Sequence, residues 1–159
     1  MKTIIDAYNL YHYARRQDDS SPSLAVSGLI SAVAKWARIS KDDTLLVFDG
    51  NRPAEVDVSR SPGRGFAVQF VGPGRTADDV IIDFITTYSA PRTLLIVSTD
   101  REIRREAKKR RCKVLSCKDF WADVVKMLSR RPPVREPREK RTGLTGDQVD
   151  YWLDEFGME

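Results

Sequence analysis

Three apolar runs in this chain each end at an aspartate. Lys2–Ile5 (KTII) precedes Asp6, Thr44–Phe48 (TLLVF) precedes Asp49, and Thr93–Val97 (TLLIV) leads through Ser98-Thr99 into Asp100. Short runs that are apolar at successive positions read as strands covered on both faces, which is characteristic of parallel sheets. Phe66–Val71 (FAVQFV), third in chain order, and Lys113–Leu115, fifth, complete the strands. Helical patterns lie between them. Residues 26, 29, 30, 33, 36 and 37 form an apolar stripe within Leu24–Ile39. A helix is predicted from Thr76, whose hydroxyl can cap the amide of Asp79, to about Tyr88. A strongly basic helix follows Asp100, and Asp119–Leu128 closes the series. Strands alternating with helices predict an α/β fold, a three-layer α/β/α sandwich around a parallel sheet.

The organisation that follows has three parts: a domain over residues 1–129, a basic Pro-rich linker over 130–143, and a short amphipathic helix over 144–159. In the last part Thr145 and Gln148 can form a reciprocal cap, and Leu144 can staple onto Val149. Val149, Trp152, Leu153 and Phe156 then share one face. So short a helix must dock, either on its own domain or on a partner protein. A partner is the expectation, because the sheet domain is complete at Leu128. No apolar run approaches the roughly 20 residues of a bilayer span. The chain opens directly into a strand with no leader pattern, so no membrane association and a cytoplasmic setting are expected. Cys112 and Cys117 fit reduced core thiols, with neither a disulfide framework nor four zinc ligands.

Charge is unevenly spread. The formal net charge is +4, and residues 130–141 alone carry six basic and two acidic groups. Residues 101–113 carry eight basic and two acidic groups, which leaves the rest of the chain with 13 basic and 19 acidic residues. An acidic body flanked by basic stretches suits a polyanion drawn toward bound cations. A solvated helix face and a linker would look the same in composition alone.

In an open parallel sheet, ligands bind beyond the carboxyl ends of the strands, where Asp6, Asp49 and Asp100 fall. Asp78 and Asp79 open the helix after the third strand. Converging carboxylates repel each other, and a hard divalent cation is the usual remedy; all-oxygen ligands select Mg²⁺ or Mn²⁺ over zinc. Each aspartate taken singly also has a plain structural use. Asp78 and Asp79 suit a helix dipole, Asp100 a first helical turn, and Asp49-Gly50 a tight turn.

Four motifs in order narrow the choice: Asp6-x-Tyr8-Asn9, Phe48-Asp49-Gly50, Thr76-Ala77-Asp78-Asp79 and Ser98-Thr99-Asp100-Arg101. Together, over about residues 1–128, they resemble the YacP-like NYN domains of the PIN-like nuclease superfamily. One departure is Ala7, where relatives usually carry glycine. The resemblance implies strand order 3-2-1-4-5 and Mg²⁺- or Mn²⁺-dependent endonucleolytic cleavage of RNA, with ribosome association as one setting. It implies that Asp6, Asp78 and Asp100 are core metal ligands and catalytic, with Asp79 the second acid of its pair. It further implies that Asp49 acts directly or through water, that Asn9 holds a carboxylate, water or phosphate, and that Asp83 is an outer ligand. Beside it stands the residues' own reading. Arg52, Arg60 and Arg64 lie in the Gly/Pro-rich loop after Asp49, and Arg101, Arg104 and Arg105 begin the basic helix; either set could grip RNA phosphates bidentately. His12, the only histidine, fits a structural or surface role, and Trp36 and Trp121 fit the core.

Two competing readings remain. A haloacid-dehalogenase-like phosphohydrolase needs an Asp-x-Asp pair after the first strand, but here the second position is Tyr8. A non-catalytic RNA-binding module of the same fold would usually have lost acids, and all the motif positions are filled.

Overall fold

A computed structural model describes residues 1–17, 24–54, 56 and 65–129. Five strands, β1 (Lys2–Asp6), β2 (Asp43–Phe48), β3 (Phe66–Phe70), β4 (Leu94–Val97) and β5 (Lys113–Leu115), form one sheet in the order β3-β2-β1-β4-β5. Every neighbouring pair is parallel, with Ile5 level with Leu46 on one side and Val97 on the other. The helices are α1 (Ala7–Gln17), α2 (Val26–Ser40), α3 (Ala77–Thr87), α4 (Arg101–Lys109) and α5 (Cys117–Ser129).

Alternation along the strands divides the core in two. Ile5, Leu46, Phe48 and Val97 pack with α1, α2 and α5, while Ile4, Leu45, Val47, Leu94 and Ile96 pack with α3 and α4. Both faces are therefore covered, which is why the strands read as unbroken apolar runs. Each fully buried Ile or Leu contributes roughly 1.5–3 kcal/mol by leaving water. Trp36 is buried, Trp121 packs against the core, and Cys112 and Cys117 are buried free thiols, all as expected. His12 is exposed.

Three elements differ from the sequence reading. The helix α1 was not expected. It starts directly after Asp6 with no polar break, and its buried residues Ala7, Leu10, Tyr11 and Ala14 are spaced as one helical face. Tyr8 anchors it edge-on against Phe48, with ring centres 4.9 Å apart. The helix α5 begins two residues earlier than read, where the Ser116 hydroxyl accepts from the Asp119 amide. Thr93 belongs to a single 3-10 turn, Pro91–Thr93, and not to β4. The linker 130–143 and the helix proposed for 144–159 lie outside the described residues, as do Arg60 and Arg64. Among the described residues, no helix is long and apolar enough to cross a membrane.

Candidate active site

The chain builds β1, β2 and β3 outward in one direction, then crosses back to lay β4 on the other side of β1. The order therefore reverses between β1 and β4, and crevices form at such switch points. Asp6 ends β1 at this place and is only 6% exposed. Across the boundary the buried Ser98 hydroxyl donates to Asp6 Oδ2 at 3.3 Å and accepts from the Asp100 amide at 3.0 Å. The backbone amide of Asn9 also donates to the Asp6 carboxylate.

The other acids are brought in by helix starts. Ala77 N donates to Asp49 Oδ1, which ties the first turn of α3 to the end of β2 and carries Asp78 to the cleft. Asp100 is the N-cap of α4, its Oδ1 accepting from the Glu102 and Ile103 amides at 2.9 and 3.1 Å. Asp49 Oδ2, Asp100 Oδ2 and both oxygens of Asp78 have no hydrogen-bond partner among the described residues.

The electrostatics place these carboxylates within reach of one another. The Asp6 pKa is pushed from 3.8 up to about 6, by burial first and then by the charge of Asp78; Asp49 adds to this, while Ser98 and Asn9 pull it down. Asp78 is raised by burial first, then by Asp100, Asp49, Glu102 and Asp79. Among the described residues no lysine or arginine forms an ion pair with Asp6, Asp49, Asp78, Asp79 or Asp100. The result is a concentration of negative charge that no ion pair neutralises among the described residues.

The sequence candidates separate here. Asp6, Asp49, Asp78 and Asp100 converge. Asp79 reaches the edge of the group, but its Oδ2 closes a reciprocal cap with Thr76, accepting from Thr76 N at 3.1 Å. Asp83 is turned to Arg75 at 2.5 Å and exerts no resolved influence on Asp6 or Asp78. Arg52 folds back on its own loop, donating to the Val56 carbonyl at 2.6 Å. Arg101, Arg104, Arg105, Lys108 and Lys109 line one open groove along α4, starting next to Asp100. Only Ile103 and Ala107 of that helix are buried.

Sequence reasoning missed three participants. Ser98 and Thr99 stood in the motif without a role, although hydroxyls at the end of a buried strand are a usable signal. Cys117, whose thiol donates to Asn9 Oδ1 at 3.0 Å, lies 108 residues from its partner and leaves no local trace.

The sequence model of one domain family matches residues 3–152, a span that includes all of these acids. The chain belongs to the YacP-like NYN domain family. Membership assigns it a nuclease-like, RNA-related class of function. The match runs past the described residues, as far as position 152. Among solved structures, Rae1 (YacP) from Bacillus subtilis superposes with a TM-score of 0.62 at 15% identity, over 96% of this chain and 86% of that one. A point mutant of the same protein gives 0.60 at 16%, over 98% and 89%. Likeness at this identity concerns the fold, and it agrees with the strand order 3-2-1-4-5. No curated protein sequence matches the chain.

Proposed function

We propose that this NYN domain is a metal-dependent endoribonuclease that hydrolyses RNA phosphodiester bonds in the cleft between β1 and β4. The observation that carries the reading is the convergence of Asp6, Asp49, Asp78 and Asp100, where burial first and neighbouring carboxylates second raise the Asp6 and Asp78 pKa values and no ion pair neutralises them among the described residues. Proteins hold such groups together against repulsion mainly where a cation or a reaction needs them.

Every member of the cluster offers oxygen, which fits a hard divalent cation such as Mg²⁺ or Mn²⁺. Among the described residues no group of three or more acids stands close enough together to hold a metal ion as placed, so binding would draw the carboxylates inward. Asp6, Asp78 and Asp100 are the proposed holders, with Asp49 acting directly or through water. When bound, the cation supplies an acidified water and neutralises charge on the phosphate.

The chain's own residues do the rest. Asp6 loses its proton as pH rises through about 6, so the site becomes receptive to cations near neutrality. Ser98 and the Asn9 amide hold that carboxylate in one orientation. Arg101, Arg104 and Arg105, with Lys108 and Lys109 beyond them, offer a wall of donors that draws RNA in and grips phosphates. RNA is the partner this requires, and messenger RNA on the ribosome is one setting; comparing cleavage of free and translated messages separates the two.

The test is incubation of the full chain with RNA in Mn²⁺ or Mg²⁺, against EDTA and against Asp78→Asn. Cleavage in metal, none in EDTA, and a loss of about 100-fold or more in the variant are expected. Cleavage that survives EDTA, or no cleavage by the wild type, overturns the reading.

A further inference from the structure

The side chain of Asn9 is held from one end only. Its Oδ1 accepts from the Thr99 backbone amide at 3.1 Å, from the Thr99 hydroxyl, and from the Cys117 thiol at 3.0 Å. A backbone N–H can only donate, so the amide oxygen must face Thr99, and the orientation of the group is not ambiguous. Three donors saturate a carbonyl oxygen. The opposite edge of the planar amide, with the two N–H groups of Nδ2, has no partner among the described residues. It is not walled in either. The single buried side-chain polar atom without a partner among the described residues is Thr3 Oγ1.

Location gives this edge a use. Asn9 donates through its backbone to Asp6, and its oxygen is bound by the residue that precedes Asp100. The two neutral N–H donors thus belong to a residue that contacts Asp6 through its backbone and the neighbour of Asp100 through its side chain. They cannot bind a cation, but they can bind an anionic oxygen that a cation has brought there.

We propose that Thr99 and Cys117 are positioning residues that lock the Asn9 amide so that Nδ2 donates to a non-bridging oxygen of the RNA phosphate. The inference rests on the nuclease reading for the identity of that anion. The thiol suits the task because it stays a donor: burial first, and the charge of Asp6 second, push its pKa up to about 12. Cys117 is thereby more than a core thiol.

The test uses side-chain amide resonances of the ¹⁵N-labelled full chain, with the Asn9 pair assigned by its loss in Asn9→Asp. A short oligoribonucleotide is added in Ca²⁺, and binding is followed at the same time. The expected result is that the Asn9 pair shifts on RNA addition. Cys117→Ala and Thr99→Val should broaden the pair, blunt the shift and weaken RNA binding roughly 3- to 10-fold. Cys117→Ser, which restores a donor, should recover both. If Cys117→Ala does not fold, Thr99→Val and Cys117→Ser carry the same comparison. An Asn9 pair that stays still while neighbouring amides of the cleft respond overturns the proposal and leaves the nuclease reading standing. A cleft in which nothing responds to RNA overturns both.

Discussion

Replacing Asp6 with asparagine removes the charge from the most deeply buried carboxylate of the site while keeping its shape. With a folded pKa of about 6 against an ordinary 3.8, the native state binds the Asp6 proton more tightly than the unfolded chain does. The stability from this group is therefore fully present below about pH 4 and is lost as pH rises to about 6. Two pKa units correspond to ~3 kcal/mol of penalty above that window. The Ser98 hydroxyl and the Asn9 amide can still donate to an asparagine oxygen, but the new NH₂ needs an acceptor, which takes back about 1 kcal/mol. Asp6→Asn should thus be more stable than wild type by about 1–3 kcal/mol at pH 8 in EDTA. For a chain of this size that is roughly 3–10 °C in Tm. The assay is a set of thermal melts of both proteins from pH 4 to 8. The difference should shrink toward zero at pH 4, and added Mg²⁺ should stabilise the wild type alone. A variant less stable at pH 8, or a gain that does not change with pH, would refute the reasoning.

Asp100 has two jobs that substitution can separate. Asp100→Asn keeps a good N-cap for α4 and should lose cleavage with little change in Tm, whereas Asp100→Ala should lose cleavage and about 1 kcal/mol as well; melts beside an RNA cleavage assay check both. If the α4 groove carries RNA phosphates, replacing Arg104, Arg105 and Lys108 with alanine should flatten the dependence of log Kd on log salt by about two to three units of slope. An unchanged slope in fluorescence anisotropy titrations assigns those residues to solvent.

How much of this was legible depended on how local the cause is. The strands were readable because burial on both faces leaves LLVF of β2 and LLIV of β4 without a polar position. Asp6, Asp49 and Asp100 stood out because they fall where those runs leave the sheet. The helix α1 went unread although its apolar spacing is present, because no cap or turn separates it from β1. The division among the acids could not be read from residue type. Asp78 and Asp79 are adjacent in sequence, yet one lies in the cleft and the other closes a helix cap. Asp83, one turn further along α3, is turned to Arg75. The Asn9 contacts join α1, the segment after β4 and the start of α5 across about a hundred residues, which only folding brings together.

The central claim is that the cleft between β1 and β4 holds a divalent cation on its carboxylates. Anomalous diffraction from crystals soaked in Mn²⁺ tests it most directly. The account predicts an anomalous peak within coordination distance of Asp6 or Asp78, with Asp100 or Asp49 completing the site directly or through water, and no such peak in Asp78→Asn. Wild-type crystals with full Mn²⁺ exposure and no peak among these aspartates, or a peak unaffected by Asp78→Asn, would contradict it.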